Sequence, residues 1–445
     1  MHPMVKPALR RAWRSLRCVQ FGVTPAHAVV LDPVGPETEA VLGLLDGTRG
    51  VELLRAEARA LGLPDGRLEA LLGRLESAGL LTDAATGRPG RAGPAAGAAG
   101  TALDPLRADL ASLSVVHPEP EGAAGVLAAR RALRVQVRGA GRVGATVAAL
   151  LAAAGVGRVE VVDSGRVEPW ETAPGGLPAE AVGERRATAA RRLVGHWSRG
   201  GPRGARRSGG GSGPGADGRG PGGSGTGSGG GGTGPGGGGT GPGGTGGGPR
   251  GGSGGAGEGS DGAGLSLVVV TPRDGLGAYV PDPLPAQRWI STGTPHLYAG
   301  VVEATGTVGP LVLPGGTACA RCLQEERTDR EPVRPRLLAQ WRSGAPHPLP
   351  ACDLALATAV AGLAAAHALA FLDGDLPAST GTRWEASLPF LEWRAERLRP
   401  HPACPCGAAP RGRGERASAA VDAHDTMAGK RPARHGSLGF GGAHV

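Results

Sequence analysis

Two groups of residues in this chain have types and a spacing that could carry chemistry, and the first is a glycine-rich turn. Gly139-Ala-Gly-Arg-Val-Gly144 lies between an apolar run and an alanine-rich segment, and Asp163 ends the next apolar run. Glycine permits the tight turn and a close approach of phosphate to the backbone, and the following helix N-terminus attracts negative charge. Asp163 would bind a ribose hydroxyl. The pattern predicts nucleotide binding by Gly139, Gly141, Gly144 and Asp163, with a ligand-free structural turn as the alternative.

The second group consists of two close cysteine pairs, Cys319-Ala-Arg-Cys322 and Cys404-Pro-Cys406. Four thiolates satisfy a tetrahedral Zn²⁺, and a long separation between the pairs suits a structural clip across a folded domain. A redox pair or buried thiols are the alternative interpretations. The second pair is more closely spaced than usual, so His401 is a spare ligand. The two remaining cysteines, Cys18 and Cys352, are expected to be small buried apolar residues.

The glycine-rich turn needs a strand before it and a helix after it. Leu133–Val137 is predicted to be a strand, residues 145–154 a helix, and Val159–Val162 a second strand, which together have the size of a parallel crossover unit. A further helix is predicted over residues 179–194. The β-branched run 265–270 is typical of a buried parallel strand, closed by Thr271-Pro272.

The cysteine pairs lie in a region with strands and one long apolar helix. Leu297–Val302 and Val308–Leu313 are predicted to be paired strands separated by Gly306. Leu354–Leu372 is a predicted helix of uncharged residues, long enough to raise the question of a membrane span. Alanine dominates it and Thr358 and His367 interrupt it, so a buried core helix is favoured over a span.

Composition divides the 445 residues into folded and low-complexity parts. The chain has 83 Gly and 39 Pro but only 4 Phe, 7 Trp and 2 Tyr, so its cores must be mainly aliphatic. Residues 201–260 are mostly Gly, with Ser, Thr and Pro, and have no apolar periodicity, which predicts a disordered insertion rather than collagen. We place this insertion at 198–264, inside a domain spanning 107–407, and we predict a disordered tail at 408–445.

The N-terminal part has the pattern of a small winged-helix-like domain at residues 17–83, after a basic tail at 1–16 and before a linker at 84–106. Short strands at 19–23 and 28–31 flank a Thr-Pro turn, and three helices follow, ending near Gly47, Gly62 and Gly79. The third helix has an apolar stripe, Leu68, Leu71, Leu72 and Leu75. DNA binding is disfavoured because this helix mixes Arg67 and Arg74 with Glu69 and Glu76.

Charge and targeting features give few constraints. The formal net charge is +9, but Lys6 and Lys430 are the only lysines, so almost all of the basic residues are arginine. This preference for arginine, together with the excess of Gly, Ala and Pro, is typical of a GC-rich genome and is not evidence for a nucleic-acid ligand. We therefore predict no nucleic-acid partner and no membrane association. The basic start lacks the apolar core of a secretory signal, so we expect a cytoplasmic protein whose cysteines are reduced.

Several motifs together resemble one family. Arg134 to Asp163, ending in Ala-Gly-Val-Gly-Arg-Val-Glu-Val-Val-Asp, is similar to the ThiF/MoeB/HesA branch of the ubiquitin-activating-enzyme-like adenylyltransferases. The segments 295–297, 308–310 and 317–323 and the distal cysteine pair continue the similarity, which spans about 133–407. The resemblance implies an α/β fold: a Rossmann-like nucleotide-binding domain with a structural zinc site, preceded here by the winged-helix-like domain.

The resemblance also implies an activity and its residues. Members of this family bind ATP at the glycine-rich turn, and a carrier protein's C-terminal glycine carboxylate attacks the α-phosphate to give an acyl adenylate and pyrophosphate. The resemblance assigns the ribose to Asp163 and Mg²⁺ to Asp274, and it puts Arg186 where the family has a phosphate-binding lysine. It further implies ATP, Mg²⁺ and Zn²⁺ as cofactors, a small carrier protein or precursor peptide as partner, and a homodimer.

This chain departs from the family pattern at one stretch, which keeps a second function open. Glu171-Thr-Ala-Pro-Gly-Gly176 stands where the family has an Asn and an Arg that contact ATP, and no thioester cysteine is evident apart from Cys352. The N-terminal domain resembles leader-peptide recognition elements, with residues 19–31 as an edge for an added strand. The alternative is thus a catalytically degenerate relative that presents a peptide to a partner enzyme. An NAD-dependent oxidoreductase fits the glycines but not the cysteine pairs.

Overall fold

The protein is described by a computed structural model that covers residues 1–84, 104–119, 122–198, 264–273, 275–343, 349–409 and 443–444. Nearly all of the predicted insertion, most of the predicted tail, much of the linker and Asp274 lie outside these residues. The predictions of disorder for the insertion and the tail therefore stay predictions.

An N-terminal module packs three helices against short strands around an aliphatic core. The predicted stripe faces this core: Leu68, Leu71 and Leu75 are buried, and Leu72 packs against them from a partly buried position. Val19, Phe21 and Leu54 complete the interior. The strands are β1 (Pro3–Val5), β2 (Arg11–Ser15), β3 (Cys18–Phe21), β4 (Val29–Leu31) and β5 (Leu81–Asp83), and the helices are α1 (Pro36–Leu44), α2 (Val51–Ala60) and α3 (Arg67–Ser77).

The first 16 residues differ from the basic tail that we predicted. β1 pairs with β5, and β2 pairs antiparallel with β3, so both belong to the module. β2 is exposed at every position, which leaves no apolar alternation for a sequence pattern to detect; its backbone hydrogen bonds with β3 define it instead. The outer edge of β4 pairs in parallel with a two-residue strand near the C-terminus, Ala443–His444.

A buried lysine joins this module to the next helices, Arg107–Val116 (α4) and Gly122–Arg130 (α5). The Lys6 Nζ donates to the carbonyl oxygens of Ser114 at 2.7 Å and Pro118 at 3.0 Å. Burial lowers the pKa of Lys6, and the Glu119 carboxylate opposes that shift. These hydrogen bonds offset the cost of burying the ammonium group.

The main domain is built on one seven-stranded sheet with strand order β12-β11-β10-β9-β8-β6-β7. The strands β7, β6, β8 and β9 run parallel, and β10, β11 and β12 continue the sheet antiparallel. The strands are β6 (Arg134–Arg138), β7 (Arg158–Val162), β8 (Leu267–Val270), β9 (His296–Val302), β10 (Thr305–Val312), β11 (Thr382–Ser387) and β12 (Arg394–Arg397). The helices are α6 (Arg142–Ala153), α7 (Arg186–Trp197), α8 (Leu276–Tyr279), α9 (Pro283–Ser291), α10 (Ala320–Arg330), α11 (Arg334–Ser343) and α12 (Leu354–Leu372).

Helix α12 has the bounds that the sequence predicts and the role that we favoured. By length and composition alone it could span a membrane. In the fold, however, Leu356, Val360 and Ala364 are completely buried in the main core, and α12 packs against α6, β9 and β10. Alanine at most of its contact positions lets the helix approach the sheet closely.

Two predicted boundaries are wrong, each for a local reason. Helix α7 starts at Arg186 because Gly183, with φ of 85°, ends a separate single turn at residues 179–181. The β9–β10 turn is not at Gly306, which lies inside β10. A side chain at Gly306 would put Cβ 2.5 Å from the Val360 Cγ2 atom, so this glycine admits α12. The turn itself is Glu303-Ala304, both left-handed, with φ of 48° and 59°.

We expect Ala304→Gly to stabilise the protein, because each left-handed non-glycine residue costs about 1–2 kcal/mol. Part of that gain is lost to the entropy of the unfolded chain, so the net increase should be about 0.5–1 kcal/mol. Denaturant unfolding measures it. Ala304→Val, which adds a β-branch at the same position, should lower the stability; an increase with valine would contradict the explanation by backbone strain.

Candidate nucleotide and metal sites

The glycine-rich turn connects β6 to α6 at the carboxyl end of the parallel strands. Gly139 has a φ of 106°, and a Cβ atom there would lie 1.9 Å from the Thr271 carbonyl oxygen. A Cβ atom at Gly144 would lie 2.1 Å from the Gly139 carbonyl oxygen. Both glycines are therefore required by close backbone packing of the turn against the end of β8.

Gly141 differs from Gly139 and Gly144 because a side chain at this position would meet only ordinary van der Waals contacts. A Cβ atom added there would come no closer than 3.9 Å to any described atom, and that atom is the Arg273 Cα. Gly141 is the N-cap of α6 and brings no side-chain acceptor to the first turn of the helix. Backbone N–H groups at such a helix start are available to an anion, so this side of the turn is where a phosphate could approach.

Asp163 lies directly after β7 and holds the turn. One carboxylate oxygen accepts a hydrogen bond from the Ala140 N–H at 2.9 Å, and the other accepts from the Gly165 N–H at 2.8 Å. The structure thus brings Asp163 to the glycine-rich turn, as the ribose-binding prediction requires, although the side chain is only 7% exposed.

Arg186 lies against carboxylates rather than at the open side of the turn. Its Nε donates to Asp163 at 2.8 Å, and one terminal nitrogen donates to Glu171 at 3.1 Å and to the Arg166 carbonyl oxygen at 2.5 Å. Gly165 admits the guanidinium, because a Cβ there would lie 1.8 Å from its other terminal nitrogen. Arg186 is a buried partner of two acids in this arrangement.

Glu171 and Arg273 are two residues that sequence analysis did not assign to the site. The Glu171 carboxylate is 3% exposed and contacts both Arg186 and the Arg273 Nε, the latter at 2.5 Å. Arg273 follows β8 after Thr271 and Pro272 and is 38% exposed. The signal that could have found it is its position: the carboxyl end of a central parallel strand adjoins the glycine-rich turn.

The four predicted metal ligands form one cluster. Their Sγ atoms all lie within 4.8 Å of one another. Cys319 lies 3.8 Å from Cys322 and 3.6 Å from Cys404, and Cys322 lies 3.6 Å from Cys406. Thiolates about 2.3 Å from a tetrahedral Zn²⁺ are about 3.8 Å apart, so the cluster fits zinc. Burial raises the pKa of the Cys404 thiol to about 11, an effect that a bound dication reverses.

Among the described residues, the side chains of the other candidates are not part of this cluster. The Nε2 of His401, the spare ligand, lies 2.9 Å from an Asp329 carboxylate oxygen, and its Nδ1 accepts from the Ala403 N–H. Cys352 is half-buried, burial raises the pKa of its thiol, and its carbonyl oxygen accepts from Arg142 at 2.6 Å. These surroundings stabilise the protonated thiol, as we expect for a residue without a nucleophilic role. Asp274, the predicted Mg²⁺ ligand, lies outside the described residues.

The sequence of this chain matches the model of a known protein family. The model of the ThiF family matches residues 118–198 and 280–406, which include Gly139, Asp163, Arg186 and the four clustered cysteines. The chain belongs to the ThiF family. The gap between the two matched ranges contains all but the first residue of the predicted insertion.

Solved structures of other proteins share the fold of this chain over more residues than the family model matches. The structure of E. coli MccB with succinimide is 12% identical, with a TM-score of 0.59 over 92% of this chain and 100% of that one. E. coli MccB with ATP is also 12% identical, with a TM-score of 0.56 over 91% and 99%. PaaA is 12% identical, with a TM-score of 0.55 over 88% and 99%. The comparison with curated proteins finds no match.

Proposed function

We propose that this ThiF-family protein is an ATP-dependent adenylyltransferase that activates the C-terminal carboxylate of a small carrier protein or a precursor peptide. The observation that carries the proposal is the uncrowded backbone of Gly141 at the start of α6, in the turn that Asp163 holds. The MccB structures, which share this fold, include one with ATP and one of a microcin C7 biosynthetic enzyme with N-formylated MccA.

Different groups of the chain would bind the phosphates, the ribose and the metal ion. The N–H groups at the start of α6 bind a phosphate, and Asp163 accepts a hydrogen bond from a ribose hydroxyl. The substrate carboxylate oxygen bonds to the α-phosphorus as the bond to the pyrophosphate oxygen breaks. ATP would supply the electrophile. Asp274 is the proposed ligand of Mg²⁺, which would neutralise charge on the phosphates.

The cysteine cluster has a structural role in this proposal. Zn²⁺ on four thiolates keeps no open position for substrate. The ion would tie the start of α10 to the loop after β12. Cys319 and Cys322 also pack with Tyr298 and Leu323 in a small apolar core. We further propose a homodimer in the cytoplasm.

A second function is favoured by one specific observation. Asp163, the ribose acid, is already paired with Arg186, and Glu171 occupies the stretch where the family has its ATP-contacting Asn and Arg. The N-terminal module offers sheet edges to an extended peptide: β2 is exposed, and the edge of β4 accepts Ala443–His444 of the chain itself. A relative that lost catalysis would present a peptide to a partner enzyme by adding it to such an edge.

Exchange of radiolabelled pyrophosphate into ATP separates the two functions. We expect exchange that depends on a carrier protein or peptide and on Mg²⁺, and we expect Asp163→Ala to lower it at least about tenfold because the turn and the ribose both lose a partner. Glu180→Ala, an exposed acid, is the matched control and should keep full exchange. Tight peptide binding without exchange would reject the enzyme in favour of the presenting protein.

A further inference from the structure

The arginine expected to bind phosphate does not reach the open side of the turn, because Arg186 is held on three sides. Its Nε and one terminal nitrogen are engaged by Asp163, Glu171 and the Arg166 carbonyl oxygen. Its side chain is 9% exposed. Moving this guanidinium toward a phosphate would leave the buried Asp163 carboxylate without a paired cation, which is strongly unfavourable.

Arg273 has the opposite environment. It is the most exposed member of this charge cluster, and its Cα would lie 3.9 Å from a Cβ atom added at Gly141, so it adjoins the turn. Within the described residues only its Nε is engaged, by Glu171, so the terminal nitrogens of its guanidinium fork remain available. Glu171 also accepts hydrogen bonds from Arg186 and from the Glu168 N–H, so its position does not depend on Arg273 alone.

The balance of charges in this cluster also distinguishes Arg273 from Arg186. Asp163 and Glu171 are two buried acids, and Arg186 is a buried base, so Arg273 supplies the second positive charge of the cluster. An arginine fork on the solvent side of a helix start is suited to bidentate recognition of a phosphate. The carboxylate beneath it fixes the direction of the guanidinium.

We propose that Arg273 is the phosphate-contacting cation of this protein and that Arg186 is a positioning residue, which holds Asp163 and Glu171 in place. This inference rests on the proposed nucleotide site and names a residue of that site. It predicts that the phosphate part of a nucleotide is recognised by the segment after β8, while the nucleoside part depends on Arg186 through Asp163.

Calorimetry with adenosine, AMP and ATP on the full-length protein tests the assignment. In the unmodified protein we expect AMP and ATP to bind about 10- to 100-fold tighter than adenosine. Arg273→Ala should remove most of this difference and leave adenosine affinity unchanged, and Arg273→Lys should restore part of it. Arg186→Gln should weaken adenosine and ATP alike. Arg288→Ala, an exposed arginine on α9, is the control and should change nothing.

The outcomes separate this inference from the proposed function. If Arg273→Ala keeps the full preference for AMP over adenosine, or if the unmodified protein binds adenosine and AMP equally, the assignment of Arg273 is wrong and the nucleoside site stands. If the unmodified protein binds neither adenosine nor ATP, the proposed adenylyltransferase is wrong and the assignment falls with it.

Discussion

Removing the proposed Zn²⁺, or one of its cysteine ligands, is expected to unfold the cysteine-bearing part of the main domain. Cys319→Ser should leave three thiols around a site whose four Sγ atoms now lie within 4.8 Å of one another. Because zinc binding adds directly to folding free energy, we expect a loss of about 5 kcal/mol or more and a fall in Tm of at least about 10 °C. Zinc analysis by mass spectrometry and thermal unfolding measure the two effects.

Cys18→Ser is the matched control for this experiment. Cys18 is partly exposed on β3 of the N-terminal module and is not among the clustered cysteines. It should keep one zinc per chain and an almost unchanged Tm. A purified protein without zinc, or a Cys319→Ser variant as stable as the parent, would show that the four cysteines are only a group of packed thiols.

The other large effect is expected from Gly139→Ala. The new Cβ would lie 1.9 Å from the Thr271 carbonyl oxygen, and the backbone would keep a φ of 106° that alanine rarely adopts. Strain and overpacking together should cost about 3 kcal/mol or more, and the turn should move away from β8. We expect nucleotide binding to become undetectable by calorimetry.

A second glycine provides the control for this change. Gly125 lies in α5, is exposed, and has no described atom within 4 Å of an added Cβ. Gly125→Ala should therefore raise the stability by about 0.5–1 kcal/mol, because alanine restricts the unfolded chain and favours the helix. If the two variants behaved alike in denaturant unfolding, the packing explanation for the turn would be wrong.

Periodicity and glycine spacing were enough to predict the strand–turn–helix–strand unit, because each element carries its own apolar face. The turn that contains Gly139, Gly141 and Gly144 and the bounds of α12 could be predicted from such local patterns. The cysteine cluster could also be predicted, because four thiols in two pairs have few other stable arrangements. In each of these cases the information is contained within the segment itself.

What sequence could not predict depends on contacts between distant segments. β2 is defined only by its backbone pairing with β3, and Gly306 is required only because α12 approaches β10. The partners of Arg186 could not be foreseen for the same reason, since Glu171 and Asp163 meet it through the fold. A motif places a residue near a site, whereas neighbouring charges decide which way its side chain turns.

The two-residue turn at Glu303-Ala304 has a consequence for how the chain reaches its native state. It joins β9 and β10 as a local hairpin, which can close within about 1–10 µs. Pairing of β6 with β8 instead awaits a chain closure across residues 139–266, whose entropic cost slows the search. The β9–β10 hairpin should therefore form before β6 pairs with β8, so that the glycine-rich turn, which packs against the end of β8, is among the last parts of the sheet to acquire its shape.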